Sequence, residues 1–568
     1  MLDTKKLFPY DFNSNYSKSV AYFSMEFAID QCLKIYSGGL GFLAGSHLRA
    51  AYELKQNFVG IGILWKYGYY DQERNKDGTL KVSFVEKNYS FLTDTGITFE
   101  ITVNGHPVKV KAWLLKPEVF HTAPLFLLST DLPENDYMSQ AICHKLYDSN
   151  EPARIAQSIL LGIGGGKLLE ILHLDREVYH LNEGHGIPLC FYLLEKLKSI
   201  DKVRQKVVFT THTPEKAGNE QRTISGLEIM SFFNKAENDL ILKLSSPDKL
   251  YFNYTLAALR MSRISNGVSK LHAEVSRNMW SHNDNICPII DITNSQNRNA
   301  WMDPELAKFY FENNDQAIAA RKKEMKRELF KTVADQCGKL FDENTLTIVW
   351  ARRYAGYKRA NLLLRDIERF NKIVNNSKYP VQVIWAGKPY PEDEEAINIF
   401  NTIYWQIKSM PNCAILTGYE IRLSGLLKKG SDVWLNTPRM FREASGTSGM
   451  TAAMNGSINV SMPDGWVPEF ASNHKNCFII PAASASANGE EQDNVESNNL
   501  YNLLEKDVIP VYYERPDQWL AILKQAITDV SVKFESHRMA HEYYELMYKV
   551  HDMKTGTETY MEEQAAGN

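Results

Sequence analysis

Short runs of β-branched and aromatic residues alternate with helical patterns along the chain, and this alternation restricts the possible folds more than any other feature. Residues 177–181 (EVYHL) and 206–211 (KVVFTT) are typical of buried strands, and a turn-like segment follows each. Residues 155–171, which precede them, have apolar positions at helical spacing. Strands that alternate with helices predict βαβ units, and therefore an α/β fold with mostly parallel sheets.

The same alternation begins again in the second half of the chain, so two domains are predicted. A long, charged helical pattern at residues 314–337 separates the two series of strand-like runs. A chain of 568 residues also exceeds what one hydrophobic core usually serves. Residues 482–499 are polar and rich in small side chains, which predicts a surface loop. The predicted divisions are a first domain (1–312), a connecting helix (313–340), a second domain (341–525) and a C-terminal helix (526–568) that packs back on the first domain.

Composition and charge give no reason to expect nucleic acid, a membrane or a metal as partner. The formal net charge of −4 provides little attraction for polyanions. We find no run of the roughly 20 apolar residues that a membrane helix needs, and no apolar stretch after the first lysines that would indicate a secretory signal. The seven cysteines are scattered without a CxxC pair, which argues against disulfides and zinc. We expect a protein of the reducing cytoplasm.

Two glycine-rich segments have different interpretations. Residues 36–41 (YSGGLG) place three glycines within four residues, which lets backbone N–H groups approach a phosphate closely. An ordinary tight turn is the alternative, because this signal is weak alone. Residues 162–166 (GIGGG) lie inside a helical pattern and predict close helix packing.

A basic segment, residues 351–359 (ARRYAGYKR), directly follows a strand-like run. Arg352, Arg353 and Lys358 can converge on one dianion there, because a loop that leads into a helix also presents free N–H groups. The alternative is a solvated basic loop. The position after a buried strand favours phosphate binding.

Residues 443–450 (EASGTSGM) combine a carboxylate with small residues at the start of a helical pattern. Glu443 can accept hydrogen bonds from sugar hydroxyls, and the backbone from Ser445 to Thr447 can offer N–H groups to a phosphate. A plain N-capped helix is the alternative.

Two histidine loops, residues 182–185 (NEGH) and 211–214 (THTP), follow strand-like runs. Neither has the spacing of a zinc site. A single histidine is more often structural than catalytic, but two at strand ends on the same sheet favour a position facing a ligand for one of them.

Together these segments resemble the α-glucan phosphorylases of glycogen, starch and maltodextrin metabolism, particularly their shorter bacterial and archaeal members. The matches keep their order over most of the chain. They are AYFSMEF (21–27), YSGGLGFLAGSHL (36–48), RIAQSILLGIGG (154–165), YHLNEGH (179–185), FTTHTPEKAG (209–218), NGVSKLHAEVSR (266–277), ARRYAGYKR (351–359), WAGKPYPEDEE (385–395), SDVWLNTPR (431–439) and EASGTSGM (443–450).

The resemblance implies a GT-B architecture, in which two Rossmann-like domains face each other across a central cleft. It also implies a retaining reaction, in which orthophosphate attacks the non-reducing end of an α-1,4-glucan and releases glucose 1-phosphate. In this family the 5′-phosphate of pyridoxal phosphate relays protons near the substrate phosphate, and dimers are common.

The resemblance also assigns roles to individual residues. Arg353 and Lys358 match residues that hold the substrate phosphate, and with His212 they are the catalytic candidates. Arg352, Tyr419 and Thr447 match the cofactor site. The remaining residues match the substrate site, where Gly39 and Leu40 face the phosphates through their backbone and Asn294, Glu443, Ser445 and Gly446, like His212, contact the glucosyl unit.

Two segments depart from the family pattern. The lysine that forms the Schiff base with the cofactor is Thr451 here, so pyridoxal phosphate is expected to be held without a covalent bond, if it binds. After Asn294, a glycine position is Ser295 and a histidine position is Asn297. A left-handed backbone at Ser295 would be strained.

Three functions remain open at this point. The protein can be a phosphorylase that holds pyridoxal phosphate non-covalently, a relative without the cofactor that uses a nucleotide sugar, or a glucan-binding protein without catalysis. The retained Arg353, Lys358 and Glu443 favour the first two.

Overall fold

A computed structural model describes residues 4–215 and 218–549. Its strands, in chain order, are β1 (Val20–Phe23), β2 (Phe58–Ile63), β3 (Asp71–Arg74), β4 (Leu80–Ser83), β5 (Thr93–Val103), β6 (His106–Leu115), β7 (Leu125–Ser129), β8 (Val178–Asn182), β9 (Val207–Thr210), β10 (Gln221–Thr223), β11 (Tyr251–Asn253), β12 (Ile264–Gly267), β13 (Ile289–Asp291), β14 (Leu346–Ala351), β15 (Val381–Ala386), β16 (Cys413–Leu416), β17 (Val433–Asn436), β18 (Ile458–Ser461) and β19 (Cys477–Ile479).

Two large sheets organise these strands. The first has the order β13-β12-β9-β8-β1-β2-β7-β6-β5, and it is parallel except for the antiparallel pairs β6–β7 and β5–β6. The second has the order β16-β15-β14-β17-β18-β19 and is parallel throughout. Strands β8, β9, β14 and β15 are buried along their whole length, because helices cover both faces of a parallel sheet. The predicted α/β fold with two facing Rossmann-like units, the GT-B architecture, is confirmed.

The α-helices connect and cover the strands. They are α1 (Gly39–Glu53), α2 (Pro117–Phe120), α3 (Tyr137–Ala141), α4 (Glu151–Ile159), α5 (Gly165–Ile171), α6 (Pro188–Leu197), α7 (Ile200–Lys206), α8 (Ile224–Ile229), α9 (Asn238–Leu244), α10 (Tyr254–Met261), α11 (Lys270–Trp280), α12 (Arg298–Trp301), α13 (Pro304–Phe311), α14 (Asp315–Cys337), α15 (Ile367–Val374), α16 (Glu394–Ile407), α17 (Ile421–Gly430), α18 (Thr447–Met454), α19 (Val467–Phe470), α20 (Gly489–Leu503), α21 (Ile509–Glu514), α22 (Pro516–Lys533) and α23 (Ser536–Glu542).

Helix α14 lies between the two series of strands. Asn314 caps its first turn by accepting a hydrogen bond from the Ala317 N–H at 3.0 Å, and Gly338 ends it in a left-handed conformation, φ 63°. The domain limits at residues 312, 340 and 525 stay predictions.

The chain returns to the first sheet in its last described segment, and residues 550–568 of the predicted C-terminal helix lie outside the described residues. Helix α22 packs against α18, whereas α23 packs against α1. The turn of π-helix that follows, Tyr543–Tyr548, buries its aromatic side chains in the core of the first sheet. There the hydroxyl of Tyr548 lies 2.7 Å from Nδ1 of His180 in β8.

Of two local predictions, the surface loop at residues 482–499 is partly wrong and the close packing at residues 162–166 is confirmed. The predicted loop at residues 482–499 is wrong in its second half, where α20 begins after the cap Asn488. Within α20, Glu496 is buried because it pairs with Arg359, an interaction that composition cannot indicate. The close packing predicted for the second glycine set is confirmed, since a Cβ on Gly162 would lie 2.5 Å from the Leu189 nitrogen.

Among the described residues, none of the helices is both long and apolar enough to cross a membrane. The same part of the chain contains no group of three or more His, Cys, Asp or Glu side chains that could hold a metal ion.

Candidate active site

A cavity of about 720 Å³ lies between the two sheets. With the exception of Thr451, each of the predicted site residues lines it: Gly39, Leu40, His212, Asn294, Arg352, Arg353, Lys358, Tyr419, Glu443, Ser445, Gly446 and Thr447. A larger surface groove of about 1070 Å³ lies elsewhere, beside Phe8, Tyr10 and Tyr52, and it contains none of these residues. The structure therefore brings the predicted residues together, while the role of each stays a prediction.

The cavity forms where parallel strands end. The basic loop follows β14, Tyr419 follows β16, Glu443 lies between β17 and α18, and His212 follows β9. Gly39 and Leu40 form the first turn of α1. Open parallel sheets bind ligands beyond the carboxyl ends of their strands, so the two sheets face one cavity with their ligand-binding edges.

Glu443 lies at the centre of a buried cluster of charges. Its Oε2 accepts hydrogen bonds from Lys358 Nζ at 2.7 Å and from Arg352 Nη1 at 3.2 Å. Burial alone would raise the pKa of Glu443, but the nearby Lys358 and Arg352 outweigh it and lower that pKa. Glu443 is therefore ionised at neutral pH, and the cluster carries a net positive charge that suits a phosphate.

A glycine makes the position of the basic loop possible. Gly387, just after β15, has φ 140°, and a Cβ on it would lie 1.8 Å from the carbonyl oxygen of Arg352. The ends of β14 and β15 therefore approach closely, and the Arg352 N–H donates to the Ala386 carbonyl at 3.3 Å. This packing fixes the backbone from which Arg352 reaches Glu443.

The loop before α18 is held in place by the carboxylate of Asp464. The Asp464 Oδ2 accepts from the N–H groups of Arg442 at 3.1 Å and of Glu443 at 3.0 Å. Burial raises the pKa of Asp464 to about 6. Gly446 then takes a left-handed conformation, φ 90°, at the start of α18. The sequence analysis did not identify Asp464, and only the sequence DG at residues 464–465 marks its turn.

The glycine loop of residues 36–41 is ordered by Glu26, which the sequence analysis also missed. The Glu26 carboxylate accepts from the N–H groups of Ser37 at 2.7 Å and Gly38 at 3.1 Å, and from the Tyr147 hydroxyl at 2.7 Å. These two amides are therefore already engaged. The next ones, of Gly39 and Leu40, belong to the first turn of α1, where N–H groups lack helical partners. Glu26 lies in AYFSMEF, so its segment was a detectable signal.

His212 is buried and neutral. Burial lowers its pKa to about 3, and Nε2 lies 2.7 Å from Asn182 Oδ1. Since an amide oxygen only accepts, His212 carries its proton on Nε2. Glu183 beside it has φ 70°, an unfavourable conformation for a non-glycine residue, and burial raises its pKa to about 7.

The segment after Asn294 is integrated into the fold without strain. Ser295 is not among the residues with positive φ, so the strain considered for a left-handed backbone does not arise. Its hydroxyl accepts from Arg538, and Asn297 caps α12 through the Ala300 N–H at 2.9 Å. The Oδ1 atom of Asn294 is buried and has no hydrogen-bond partner among the described residues.

Thr451 lies in the second turn of α18, 1% exposed. Its hydroxyl donates to the Ser448 carbonyl at 3.0 Å, so its hydrogen bond stays within the helix. A phosphate ester would nevertheless fit nearby. Arg352 Nε is buried without a partner in the described chain, and Thr447 begins α18. These residues fit the phosphate of pyridoxal phosphate, whereas position 451 offers no amine.

Comparison with known proteins agrees with this geometry. The family model for carbohydrate phosphorylase matches residues 254–510. The chain is 35% identical to maltodextrin phosphorylase of Thermococcus litoralis over 94% of its own length and 72% of the relative's. It is 31% identical to glycogen phosphorylase of Aquifex aeolicus, covering 87% of that protein. It is also 44% identical to an uncharacterized protein of Methanocaldococcus jannaschii over that protein's whole length. The chain belongs to the carbohydrate phosphorylase family.

Proposed function

We propose that the protein is an α-1,4-glucan phosphorylase-type glucosyltransferase of the cytoplasm, which converts a glucan and orthophosphate to glucose 1-phosphate with retention. The observation that carries the proposal is the charge cluster of Arg352, Lys358 and Glu443 in the cavity between the sheets. A phosphate bound by these cations would lie beside a carboxylate that can accept hydrogen bonds from sugar hydroxyls. The related maltodextrin and glycogen phosphorylases support this reaction class.

In this proposal, Lys358 and Arg353 bind the orthophosphate. Lys358 already lies 2.7 Å from Glu443, so a dianion that replaces this contact leaves the carboxylate free for a glucosyl hydroxyl. Arg353 retains accessible surface within the cavity, which suits a side chain that must reach a ligand. The two cations then stabilise the negative charge on the phosphate in the transition state, while the bond to the leaving glucan breaks.

The glucosyl unit lies against Ser445, Gly446, Asn294 and His212. The unpaired Asn294 Oδ1 and Ser445 Oγ are suited to sugar hydroxyls, because a buried polar atom gains most from a ligand partner. Since His212 is neutral with its proton on Nε2, its Nδ1 can accept a hydrogen bond from a sugar hydroxyl.

Pyridoxal phosphate would be held by Arg352 and Thr447, with Tyr419 beside it. When bound, it would supply a phosphate whose second pKa near ~6 suits proton transfer at neutral pH. Tyr419 is held in position beside the cofactor site, because its hydroxyl donates to the Ala351 carbonyl at 3.2 Å.

The direct test is phosphate-dependent release of glucose 1-phosphate from maltodextrin, with and without added pyridoxal phosphate. We expect Lys358→Met to lower the rate about 10²-fold or more, as loss of a transition-state charge contact does. Lys372→Met, an exposed lysine of α15, is the matched control and should keep the full rate. Absence of release under all conditions would refute the proposal.

A second candidate is a glucosyltransferase that uses a nucleotide sugar. The observation that favours it is Thr451, which removes the usual covalent attachment of the cofactor while the phosphate subsite stays basic. Turnover with a nucleotide glucose, without phosphorolysis, would select it. Glucan binding without either reaction would indicate a non-catalytic binding protein. A homodimer remains a prediction.

A further inference from the structure

Lys428 is a buried lysine without the partners that buried lysines normally have. It lies near the end of α17 and is 1% exposed. Lysine is almost never fully buried unless it is paired. Its Nζ lies 3.7 Å from the ring centre of Trp301 and 5.3 Å from that of Phe42. Within the described residues, its ammonium has no hydrogen bond or ion pair to an oxygen.

Other buried lysines of the same domain are satisfied. Lys322 donates to three carbonyl oxygens, at 2.8 Å, 3.0 Å and 3.0 Å. Lys326 pairs with Asp432 at 2.6 Å, and Lys388 pairs with Glu420 at 3.1 Å. Lys428 therefore differs from them in kind, because aromatic rings face its nitrogen and no described oxygen pairs with it.

Burial lowers the pKa of Lys428 well below its ordinary value. Burial therefore favours the neutral amine form of this side chain. A desolvated neutral amine is a nucleophile towards carbonyl groups, which is how enzymes activate lysines for Schiff-base chemistry.

The two rings that Lys428 contacts connect it with the cavity on one side and with Thr451 on the other. Phe42 lines the cavity in the first turns of α1. Trp301 is tied to Thr451, because Asn455 Nδ2 donates both to the Trp301 carbonyl at 2.9 Å and to the Thr451 carbonyl at 2.8 Å. Helices α1, α12 and α17 all pack against α18. The amine is therefore next to the helix that bears the substituted position.

We propose that Lys428 supplies from α17 the amine that position 451 lacks, and forms an imine with the aldehyde of pyridoxal phosphate bound in this cavity. In the reaction, the amine nitrogen attacks the aldehyde carbon, a C=N bond replaces the C=O bond, and the two amine protons leave with the carbonyl oxygen as water. No other reactant is needed. The inference rests on the proposal that the cavity takes this cofactor, but not on any turnover.

The test uses the full chain, pyridoxal phosphate and borohydride, which reduces an imine to a stable secondary amine. We expect one cofactor to be attached per chain, with peptide mass spectrometry placing it on Lys428. Lys428→Met should lose the adduct entirely. Lys429→Met should keep it, because Lys429 is the next residue of the same helix but pairs with Asp303 at 3.4 Å. Thr451→Lys in the Lys428→Met protein should restore a reducible imine at the new site.

Binding measured by equilibrium dialysis separates this inference from the proposed function. An adduct on another lysine, such as Lys388, would overturn the inference, and so would tight binding without any reducible bond. Both outcomes leave a phosphorylase with a non-covalent cofactor possible. Absence of binding would overturn the inference together with the cofactor assignment. Because the mapping is done on the wild-type chain, the result does not depend on whether the variants fold.

Discussion

At the scale of single residues, Glu443 explains how three charges can be buried together in the cavity. Buried cations are costly unless an anion and hydrogen bonds compensate them. Glu443 provides the anion for Arg352 and Lys358, and Asp464 in turn fixes the backbone of Glu443. The cluster therefore keeps its geometry before a phosphate arrives, so that little reorganisation remains for the ligand to drive.

Asp464 makes a pH-dependent contribution that can be isolated. Its pKa is raised to about 6 in the folded protein, above that of an unfolded chain, so the folded state is penalised when the group is ionised. The penalty is absent at low pH, grows as pH rises from about 4 to about 6, and is constant above. Asp464→Asn cannot ionise. When the pH is lowered from about 7 to about 5, we expect the free energy of unfolding of the wild type to rise by about 1 kcal/mol more than that of this variant.

Thermal unfolding midpoints of the two proteins across this pH range check the prediction. Glu183, whose pKa is raised to about 7, shifts stability in the same direction, but it is present in both proteins and cancels in the comparison. Parallel curves for wild type and variant would contradict the assignment of a raised pKa to Asp464.

The candidate residues could be found in the sequence because they follow strands and carry the chemistry themselves. Glu26 and Asp464 were not predicted, although Glu26 lies in a segment that matches the family pattern. They act by accepting backbone N–H groups of Ser37 and Glu443, at sequence separations of 11 and 21 residues. Neither charge nor spacing in a sequence shows which distant amide a carboxylate will bind.

At the scale of elements, the start of α18 depends on one glycine. Gly446 has φ 90°, and a Cβ on it would lie 3.3 Å from Glu443 Cγ and 3.5 Å from Arg352 Nη2. We expect Gly446→Ala to destabilise the protein by about 1–2 kcal/mol through backbone strain and to lower turnover by displacing these two side chains.

Gly425→Ala is the matched control in the neighbouring helix α17. This position has helical φ and no atom within 4 Å of an added Cβ. The substitution should stabilise the protein by about 0.5–1 kcal/mol, since alanine reduces the freedom of the unfolded chain. Thermal unfolding and the phosphorolysis assay measure both variants. Full activity in Gly446→Ala would show that the left-handed turn does not position the site.

Elements with continuous apolar runs were predicted closely, and α20 was not. Strand β9 (Val207–Thr210) lies within the run predicted at residues 206–211, because a strand buried on both faces must be apolar almost throughout. Helix α20 begins in a polar segment, GEEQDN, whose amphipathic pattern is weak. Its stability comes from contacts such as Glu496 with Arg359 and Ser497 with the Leu362 carbonyl, which only the folded chain creates.

At the scale of the whole molecule, the C-terminal segment completes the core of the first sheet. Tyr548 is fully buried beside His180. We expect Tyr548→Ala to cost about 3–5 kcal/mol, as loss of a buried aromatic side chain does. Tyr548→Phe, which loses only the hydroxyl contact, should cost about 1 kcal/mol.

Tyr137→Ala is the control, because that side chain is 72% exposed and its loss should change stability by less than about 0.5 kcal/mol. Chemical or thermal unfolding measures the series. Equal midpoints for Tyr548→Ala and Tyr137→Ala would mean that the first sheet is complete without the end of the chain.

The sequence predicted two α/β units because each has its own series of apolar runs, and the two sheets agree with this. It also predicted that the end of the chain returns to the first unit, but not how. The divisions at particular residues stay predictions, because the last helices join both units: α22 packs on α18 in the core of the second sheet, and α23 packs on α1 of the first. Contacts of this kind are set by the complementarity of surfaces far apart in sequence.

The return of Tyr543–Tyr548 to the first core has a consequence for biosynthesis. A ribosome completes the strands of the first sheet at Asp291, but it must translate the whole second sheet before the last aromatic side chains of that core exist. A ribosome adds about 5–20 residues per second, and domains generally fold from the N-terminal end as the chain emerges. The nascent first half therefore keeps an open apolar face beside β8 until the segment Tyr543–Tyr548 has been translated.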